Sequence, residues 1–475
     1  MINDFFNILI PQGFLGIFII IQLLCSMLLS PKRYKHARLI SLVGISLSIF
    51  SLSTVQVEPQ YFGFRNALMS DNYTLLFHFI ILLCGFFVVL ISGNHVKSIR
   101  CQSFSFHALL LTAILGAMSI VSANDILTLF VSLELLSFPT YFIIASDRTY
   151  KSKEAAFKYL ITGAVSSGIF LFGASYLYGL TGCINLTEIY EAISEQNPTF
   201  LYSMSCVLIV IGLIAKLAIF PFANWVIDVY KGCETSVLAY LSTIPKLALF
   251  AIICRLLVFP LSNSFELVFV IGILSLMTAF WANTLAIRSD DIKTILACSA
   301  AANASYIMLT AGLVSVYNLS TVIFYLIAYV LINISVFSFL NILESNKIYL
   351  SVNNLTGLGL KNFGLAIAYI IAVIALAGFP VTSGFIAKIY LFSAIAHSGL
   401  IFIPFLIILL ILTVVALFYY LKLIRPIFEH TDNAIKLKYL FSQKFVLYVT
   451  AIVTVLIGVY PQKLIELCRF IAYNI

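Results

Sequence analysis

Apolar runs long enough to cross a lipid bilayer follow one another along almost the entire chain. They lie near 9–30, 38–56, 72–93, 105–122, 124–146, 154–179, 204–228, 235–258, 265–287, 292–314, 318–343, 363–396, 401–422 and 444–460. An α-helix needs about 20 apolar residues to span the hydrocarbon core, so fourteen spans use about 280 residues of the 475. Only short loops remain, with no room for a soluble catalytic domain. The balance of 62% hydrophobic and 10% charged residues agrees, since soluble domains carry about a quarter charged. The fold expected is an all-α polytopic membrane protein of about fourteen transmembrane helices. The first run follows Asp4 rather than a basic cluster, so a cleaved signal peptide is not expected. Nine scattered cysteines with no C-x-x-C pair give no support to an iron–sulfur, zinc or disulfide framework, and no cofactor or metal site is expected in this chain.

The basic residues test the span count. Alternate loops hold Lys32, Arg33, Lys35 and Arg38; Lys97 and Arg100; Arg148, Lys151 and Lys153; Lys231; Arg288 and Lys293; Lys347 and Lys361; and Lys422, Arg425, Lys436, Lys438 and Lys444. The intervening loops and the C-terminal tail hold only Arg65, Arg255, Lys463 and Arg469. One invented or missed span in the middle would erase this asymmetry. The positive-inside rule then puts both termini on the non-cytoplasmic side. Basic loops beside anionic lipid also account for the net charge of +8 without a nucleic-acid partner.

Four lysines fall within the apolar runs: Lys158, Lys216, Lys246 and Lys388. Among the acidic residues Glu134 alone lies well within one. A charged residue at mid-helix costs roughly 2.5–3.5 kcal/mol on insertion scales, which folding alone gives no reason to carry. Lys158 is close enough to the loop around Arg148 to extend its stem to water; the other four are deeper. Reversible protonation is the chemistry such residues serve, because a lysine whose carboxylate partner moves changes its proton affinity. Arginine does not release its proton, and none is expected deep in the spans. Asp125, Asp228 and Asp291 sit at predicted helix ends, where a carboxylate is ordinarily capping or solvated, and are held in reserve.

Helix breakers accompany the lysines. Pro221 follows Lys216, Pro245 precedes Lys246, and Gly378-Phe379-Pro380 precedes Lys388. A broken helix at membrane depth is tolerated only where protein or a wet cavity satisfies the freed backbone, and a charge beside a break points to an ion site. Ile214-Ala215-Lys216 is echoed by Ile386-Ala387-Lys388, 172 residues on, and Asp125-Ile126-Leu127-Thr128 by Asp291-Ile292-Lys293-Thr294, 166 residues on. The echoes align spans 5 and 7 with 10 and 12. Five spans per copy is an odd number, so the second copy is inverted in the membrane. The expected organisation is 1–104 (three spans), 105–260 (first five-helix repeat, spans 4–8), 261–425 (second repeat, spans 9–13) and 426–475 (loop, final span and tail), with helices 7 and 12 broken.

Leu133-Glu134-Leu135-Leu136-Ser137, Glu154 to Tyr159, Lys216 to Phe222, Trp225 with Asp228-Val229-Tyr230, Pro245-Lys246, Asp291-Ile292-Lys293 and Ala377 to Lys388 together resemble the antiporter-like proton-pumping subunits of respiratory NADH–quinone oxidoreductase (complex I). Lysine at 388, where one branch carries glutamate, and the lack of a long lateral helix make the N-type branch the best match. The resemblance implies a switchable Glu134–Lys216 pair, Lys246 as central relay, Lys388 as exit-side lysine and Lys158 as a modulator. It also implies partners: other membrane and peripheral subunits holding flavin and iron–sulfur clusters, the quinone that the complex reduces, protons, and the lipid of a bacterial inner membrane. Relatives usually carry histidine and proline where this chain has Ala223 and Ile227, and a histidine in span 10 where it offers Ala301, Ala302 and Asn303. Asn303 is a polar relay candidate that cannot itself carry a proton. A multisubunit cation/proton antiporter and a non-transporting membrane scaffold are the alternatives.

Overall fold

The computed structural model describes residues 8–29, 33–55, 60–93, 103–194, 199–261, 265–430 and 435–474. Lys32, Lys97 and Arg100 of the basic loops, and Cys101, lie outside the described residues. The chain runs through α1 (Ile10–Leu28), α2 (Tyr34–Ser51), a small antiparallel hairpin of β1 (Tyr61–Gly63) and β2 (Leu68–Ser70), α3 (Asn72–Ile91), α4 (Ser103–Ser122), α5 (Ile126–Ile144) and α6 (Tyr150–Thr181). Next come α7 (Leu186–Ser194), α8 (Phe200–Lys216), α9 (Asn224–Gly232), α10 (Thr235–Leu241), α11 (Ile244–Val258), α12 (Phe265–Arg288), α13 (Ile292–Gly312) and α14 (Val316–Ser345). The last are α15 (Leu358–Lys361), α16 (Phe363–Ala377), α17 (Ser383–His397), α18 (Ile403–Ile424), α19 (Phe441–Val459) and α20 (Gln462–Tyr473).

Among the described residues, twelve segments are long and apolar enough to cross a membrane. The other two expected spans are split, one into α8 and α9 and one into α16 and α17, so the fourteen-helix architecture stands, with helices 7 and 12 broken. The segment made of α10 and α11, together with α13 and α14, is enclosed on all sides, whereas α1, α2 and α18 are mostly open. The open surface is apolar: α18 turns Ile407, Ile411, Val414 and Phe418 outward, as lipid contact requires. Polar side chains face inward instead, among them Thr278, Ser299, Asn303 and Asn341, where hydrogen bonds from neighbouring elements satisfy them.

The repeat is legible in local geometry. Asp125 caps α5 by accepting from the Thr128 amide, and Asp291 caps α13 by accepting from the Thr294 amide. Each aspartate makes an isolated antiparallel bridge, Asp125 with Asn185 and Asp291 with Ser351. Thr149 caps α6 and Ser315 caps α14. All of these pairs keep the 166-residue offset. The 172-residue echo is a different matter, and here the structure corrects the sequence reading. The two breaks, 217–223 and 378–382, begin 161 residues apart. Lys216 therefore ends the half-helix before its break, whereas Lys388 lies in the half-helix after its own. The residue holding nearly the place of Lys388 in the first copy is Asp228, fifth residue of α9 as Lys388 is sixth of α17.

Candidate proton path

The first break is closed by side chains from elsewhere. Phe220 precedes Pro221 through a cis peptide and Ala218 has φ +61°. The Phe220 amide donates to Thr278 Oγ1 of α12 (2.9 Å), and Trp225 Nε1 donates to the Ala215 carbonyl (3.1 Å). Lys216, in the last turn of α8, puts its charge at the negative end of that half-helix. Its Nζ donates to Ser137 Oγ at 2.9 Å and stands 3.5 Å from Glu134 Oε1. Charge-assisted bonds are ordinarily about 2.7–2.9 Å, so the ion pair is loose. Glu134 is held more closely by Ser167, whose hydroxyl donates to the same oxygen at 2.5 Å. The side chains are 7% (Lys216) and 21% (Glu134) exposed, and a cavity of about 10 Å³ beside Lys216, lined by Tyr141, Tyr159 and Trp225, has room for roughly one water.

From this pair a line of hydroxyls leads to α10. Thr140, one turn beyond Ser137 on α5, shares a 2.7 Å hydrogen bond with Tyr240 of α10. Six residues on, across the Ser242–Thr243 interruption, Lys246 stands in the first turn of α11. Its Nζ donates to the Ala300 carbonyl (2.7 Å) and to the Tyr329 hydroxyl (3.2 Å), and it lies over the Tyr329 ring. Among the described residues no carboxylate pairs with it.

The second break is closed by Lys388 itself. Gly378 adopts φ +84° at the end of α16, and Lys388 Nζ reaches back to donate to the Leu376 and Ala377 carbonyls, both at 2.9 Å. The second break thus has an ammonium on its terminal carbonyls, whereas Lys216, the last residue of its half-helix, sends its Nζ to Ser137. A Cβ on Gly378 would lie 2.7 Å from Lys388 Cδ, and one on Gly384 would collide with the Ala375 carbonyl. These two glycines hold the lysine against the carbonyl ends. Lys388 lines a further cavity of about 10 Å³ with Asn303, Tyr325 and Tyr329. Asn303 accepts from Tyr325 (2.7 Å) and donates to the Ser299 carbonyl (2.8 Å). The Lys246 and Lys388 environments therefore meet through the Tyr329–Asn303–Tyr325 group.

Other residues fall elsewhere. Lys158 is bonded to Glu154 and to Asp228, each at 2.8 Å, with its side chain 40% exposed, and no bond joins it to Glu134 or Lys216 among the described residues. Asp125 and Asp291 are helix caps, as a helix-end position implies. Arg255 overturns its sequence assignment. Counted as a loop residue, it is 1% exposed, paired with Asp71 at 2.6 Å and donating to the Val121 carbonyl at 2.8 Å. It joins α11 to α3 and α4, and its apolar neighbours gave no sign that a carboxylate 184 residues away would be beside it. Ser137, Ser167, Thr140, Tyr240, Tyr325 and Tyr329 were also missed, because hydroxyls are common in apolar helices and only packing shows which ones face a lysine.

The family model of the NADH:quinone oxidoreductase/Mrp antiporter transmembrane proteins matches residues 123–418. The chain is similar to NADH-quinone oxidoreductase subunit N of Anoxybacillus flavithermus, 31% identical over 94% of this chain and 93% of that protein. It is similar in structure to a chain of respiratory complex I from Thermus thermophilus with bound aureothin, with TM-score 0.82 and 27% identity over 96% of this chain and 99% of that one. A chain of the Mrp complex from Dietzia sp. DQ12-45-1b shares the fold, with TM-score 0.85 at 18% identity, covering 98% of this chain and 96% of that one.

Proposed function

This chain belongs to the NADH:quinone oxidoreductase/Mrp antiporter transmembrane family, and from that premise we propose that it is the N-type antiporter-like subunit of a proton-pumping NADH–quinone oxidoreductase. Electrons pass from NADH to quinone in other subunits, which hold the flavin and iron–sulfur clusters; this chain carries protons across a bacterial inner membrane, with both termini on the non-cytoplasmic side. The observation that carries the reading is the series of buried or part-buried ionisable groups Glu134, Lys216, Lys246 and Lys388, each set beside a helix break or a hydroxyl cluster in an apolar bundle. We place the first five-helix repeat at 105–260 and the second at 261–425, with 1–104 and 426–475 flanking them.

In this reading the loose Glu134–Lys216 pair is the switch. At about 4 Å two charges attract by roughly 1 kcal/mol in water and 4 kcal/mol at an effective dielectric of 20, so a swing of Glu134 between Lys216 and Ser167 changes the proton affinity of Lys216 substantially. A proton released from Lys216 passes by Ser137, Thr140 and Tyr240 toward Lys246. From Lys246 it passes by Tyr329, Asn303 and Tyr325, with water in the adjoining cavity, to Lys388. Asn303 orders that water without itself binding the proton. Lys158, clamped by Glu154 and Asp228, modulates the field from the side.

Lys216→Met in membranes carrying the assembled complex tests this. NADH-driven proton translocation falls while the amount of complex on a blue-native gel stays constant; lost assembly with normal pumping per remaining complex would instead support the scaffold alternative. Purification through a tag on this chain recovers flavin and iron–sulfur subunits, whereas recovery of other antiporter subunits without them would favour a cation/proton antiporter.

A further inference from the structure

The lysines Lys151, Lys231, Lys293 and Lys347 come from four separate stretches of chain and surround one cavity of about 480 Å³ at the end of the bundle bearing the basic loops. Glu344, in the last turn of α14, lies in its wall with the side chain 26% exposed. Its carboxylate accepts from Lys293 Nζ at 2.9 Å, from the Thr235 amide at 2.8 Å and from Thr235 Oγ1 at 2.6 Å. Thr235 is wholly buried, so the carboxylate touches the cavity on one side and the protein interior on the other.

A polar stripe leads inward from this carboxylate. Thr235 Oγ1 accepts from Asn341 Nδ2 (3.1 Å), one turn below Glu344 on α14. Four-residue steps along the same helix lead from Asn341 past Phe337 to Asn333 and Tyr329, and the Tyr329 hydroxyl accepts from Lys246. The distance from Glu344 to Tyr329 is about 22 Å of helix. Phe337 interrupts the stripe, and there the Tyr230 ring packs against it at 6.1 Å. The Tyr230 hydroxyl is buried and has no hydrogen-bond partner among the described residues, and the same holds for the Ser236 hydroxyl on α10. Buried hydroxyls are rarely left unpaired; ordered water is the usual partner where no protein group reaches.

We propose that Glu344 is the proton-loading residue of a direct uptake route to Lys246, separate from the Glu134–Lys216 pair. A proton from the cavity binds the Glu344 carboxylate as Lys293 lets go of it and keeps its bond to the Cys233 carbonyl, already made at 2.6 Å. It then passes along water held by Thr235, Asn341, Tyr230 and Asn333 to the neutral amine of Lys246, leaving Glu344 ionised again. The route rests on the reading of Lys246 as a relay, and it gives Lys246 a source of protons from the basic end of its own half of the bundle.

The test compares Glu344→Gln, Glu344→Asp and Lys246→Met in the assembled complex, reading NADH-driven acidification of inverted membrane vesicles and the abundance of the complex. Glutamine keeps an oxygen that accepts from Thr235, so a capping role survives Glu344→Gln and proton binding does not. Proton-transfer groups contribute about 10²–10⁴-fold, and with Glu134–Lys216 as a parallel entry the expected loss for Glu344→Gln is about tenfold at unchanged abundance, with Glu344→Asp regaining most of the rate. Normal pumping in Glu344→Gln beside blocked pumping in Lys246→Met overturns the uptake route and leaves the relay standing. Equal losses in Glu344→Gln and Glu344→Asp that track lost abundance also overturn it, in favour of a structural role. Normal pumping in Lys246→Met would remove the relay reading on which the route rests.

Discussion

The two broken helices solve one electrostatic problem in opposite ways. Each half-helix ends with carbonyls that need a donor and with a negative dipole end that favours a cation. In the first copy Lys216 supplies the charge from its own last turn, leaving its Nζ free for Ser137 and Glu134, while Trp225 takes the Ala215 carbonyl. In the second copy Lys388 is itself the donor to the Leu376 and Ala377 carbonyls. One lysine is matched to a side chain that can swing, the other to backbone that cannot. The difference bears on the proposed roles: a carboxylate partner suits the first site to switching and fixed backbone suits the second to holding, so a lost charge has different consequences in each.

The largest effect expected from breaking the comparison is at Glu134, the carboxylate beside Lys216. Glu134→Ala lowers proton pumping by about tenfold or more with the complex still assembled, as measured by vesicle acidification against blue-native abundance; an undiminished rate would remove Glu134 from the switch. Lys388→Met lowers pumping and also leaves two buried carbonyls without their donor, at a cost of about 1–3 kcal/mol each at most. Its complex therefore melts earlier in a thermal-shift assay than that of Lys216→Met, where Ser137 keeps its bond to Leu133. Equal melting of the two would mean that the second lysine is no more structural than the first. Gly378→Ala sharpens the point without touching charge: a left-handed φ costs a side chain about 1–3 kcal/mol, and the new Cβ displaces Lys388 from the carbonyls. A partial loss of pumping is expected, and a matched Gly→Ala change at Gly168, where there is open space, leaves it unaltered. The smallest effect is at Asp228→Asn. Exposed ion pairs contribute little, and Lys158 keeps Glu154 at 2.8 Å, so the pumping rate changes by less than about twofold.

Much of the fold could be read directly. Apolar run length, the alternation of basic loops and the breakers Pro221, Pro245 and Gly378 located the spans and the broken helices, because a bilayer imposes one period and one polarity on everything that crosses it. The ionisable members of the candidate path were legible for the same reason: Glu134, Lys216, Lys246 and Lys388 stand out against apolar neighbours. What misled was local similarity. The Ile-Ala-Lys echo suggested that Lys216 and Lys388 hold equivalent places, yet they stand on opposite sides of their breaks. Arg255 looked like a loop residue because it lies near a helix end, where burial depends on what packs over it.

The sequence by itself determined that this chain lives in a membrane as a bundle with an internal repeat, and that a few protonatable groups lie within its core. Those conclusions depend on hydrophobic length and on the cost of charge in lipid, both properties of a single segment. Only the tertiary structure decided who meets whom: that Glu134 is nearer Ser167 than Lys216, that Lys388 rests on carbonyls rather than a carboxylate, and that Glu344 joins a basic cavity to Thr235. Such pairings join residues tens to more than a hundred positions apart, and a span's hydropathy carries no information about which of its faces turns toward which neighbour.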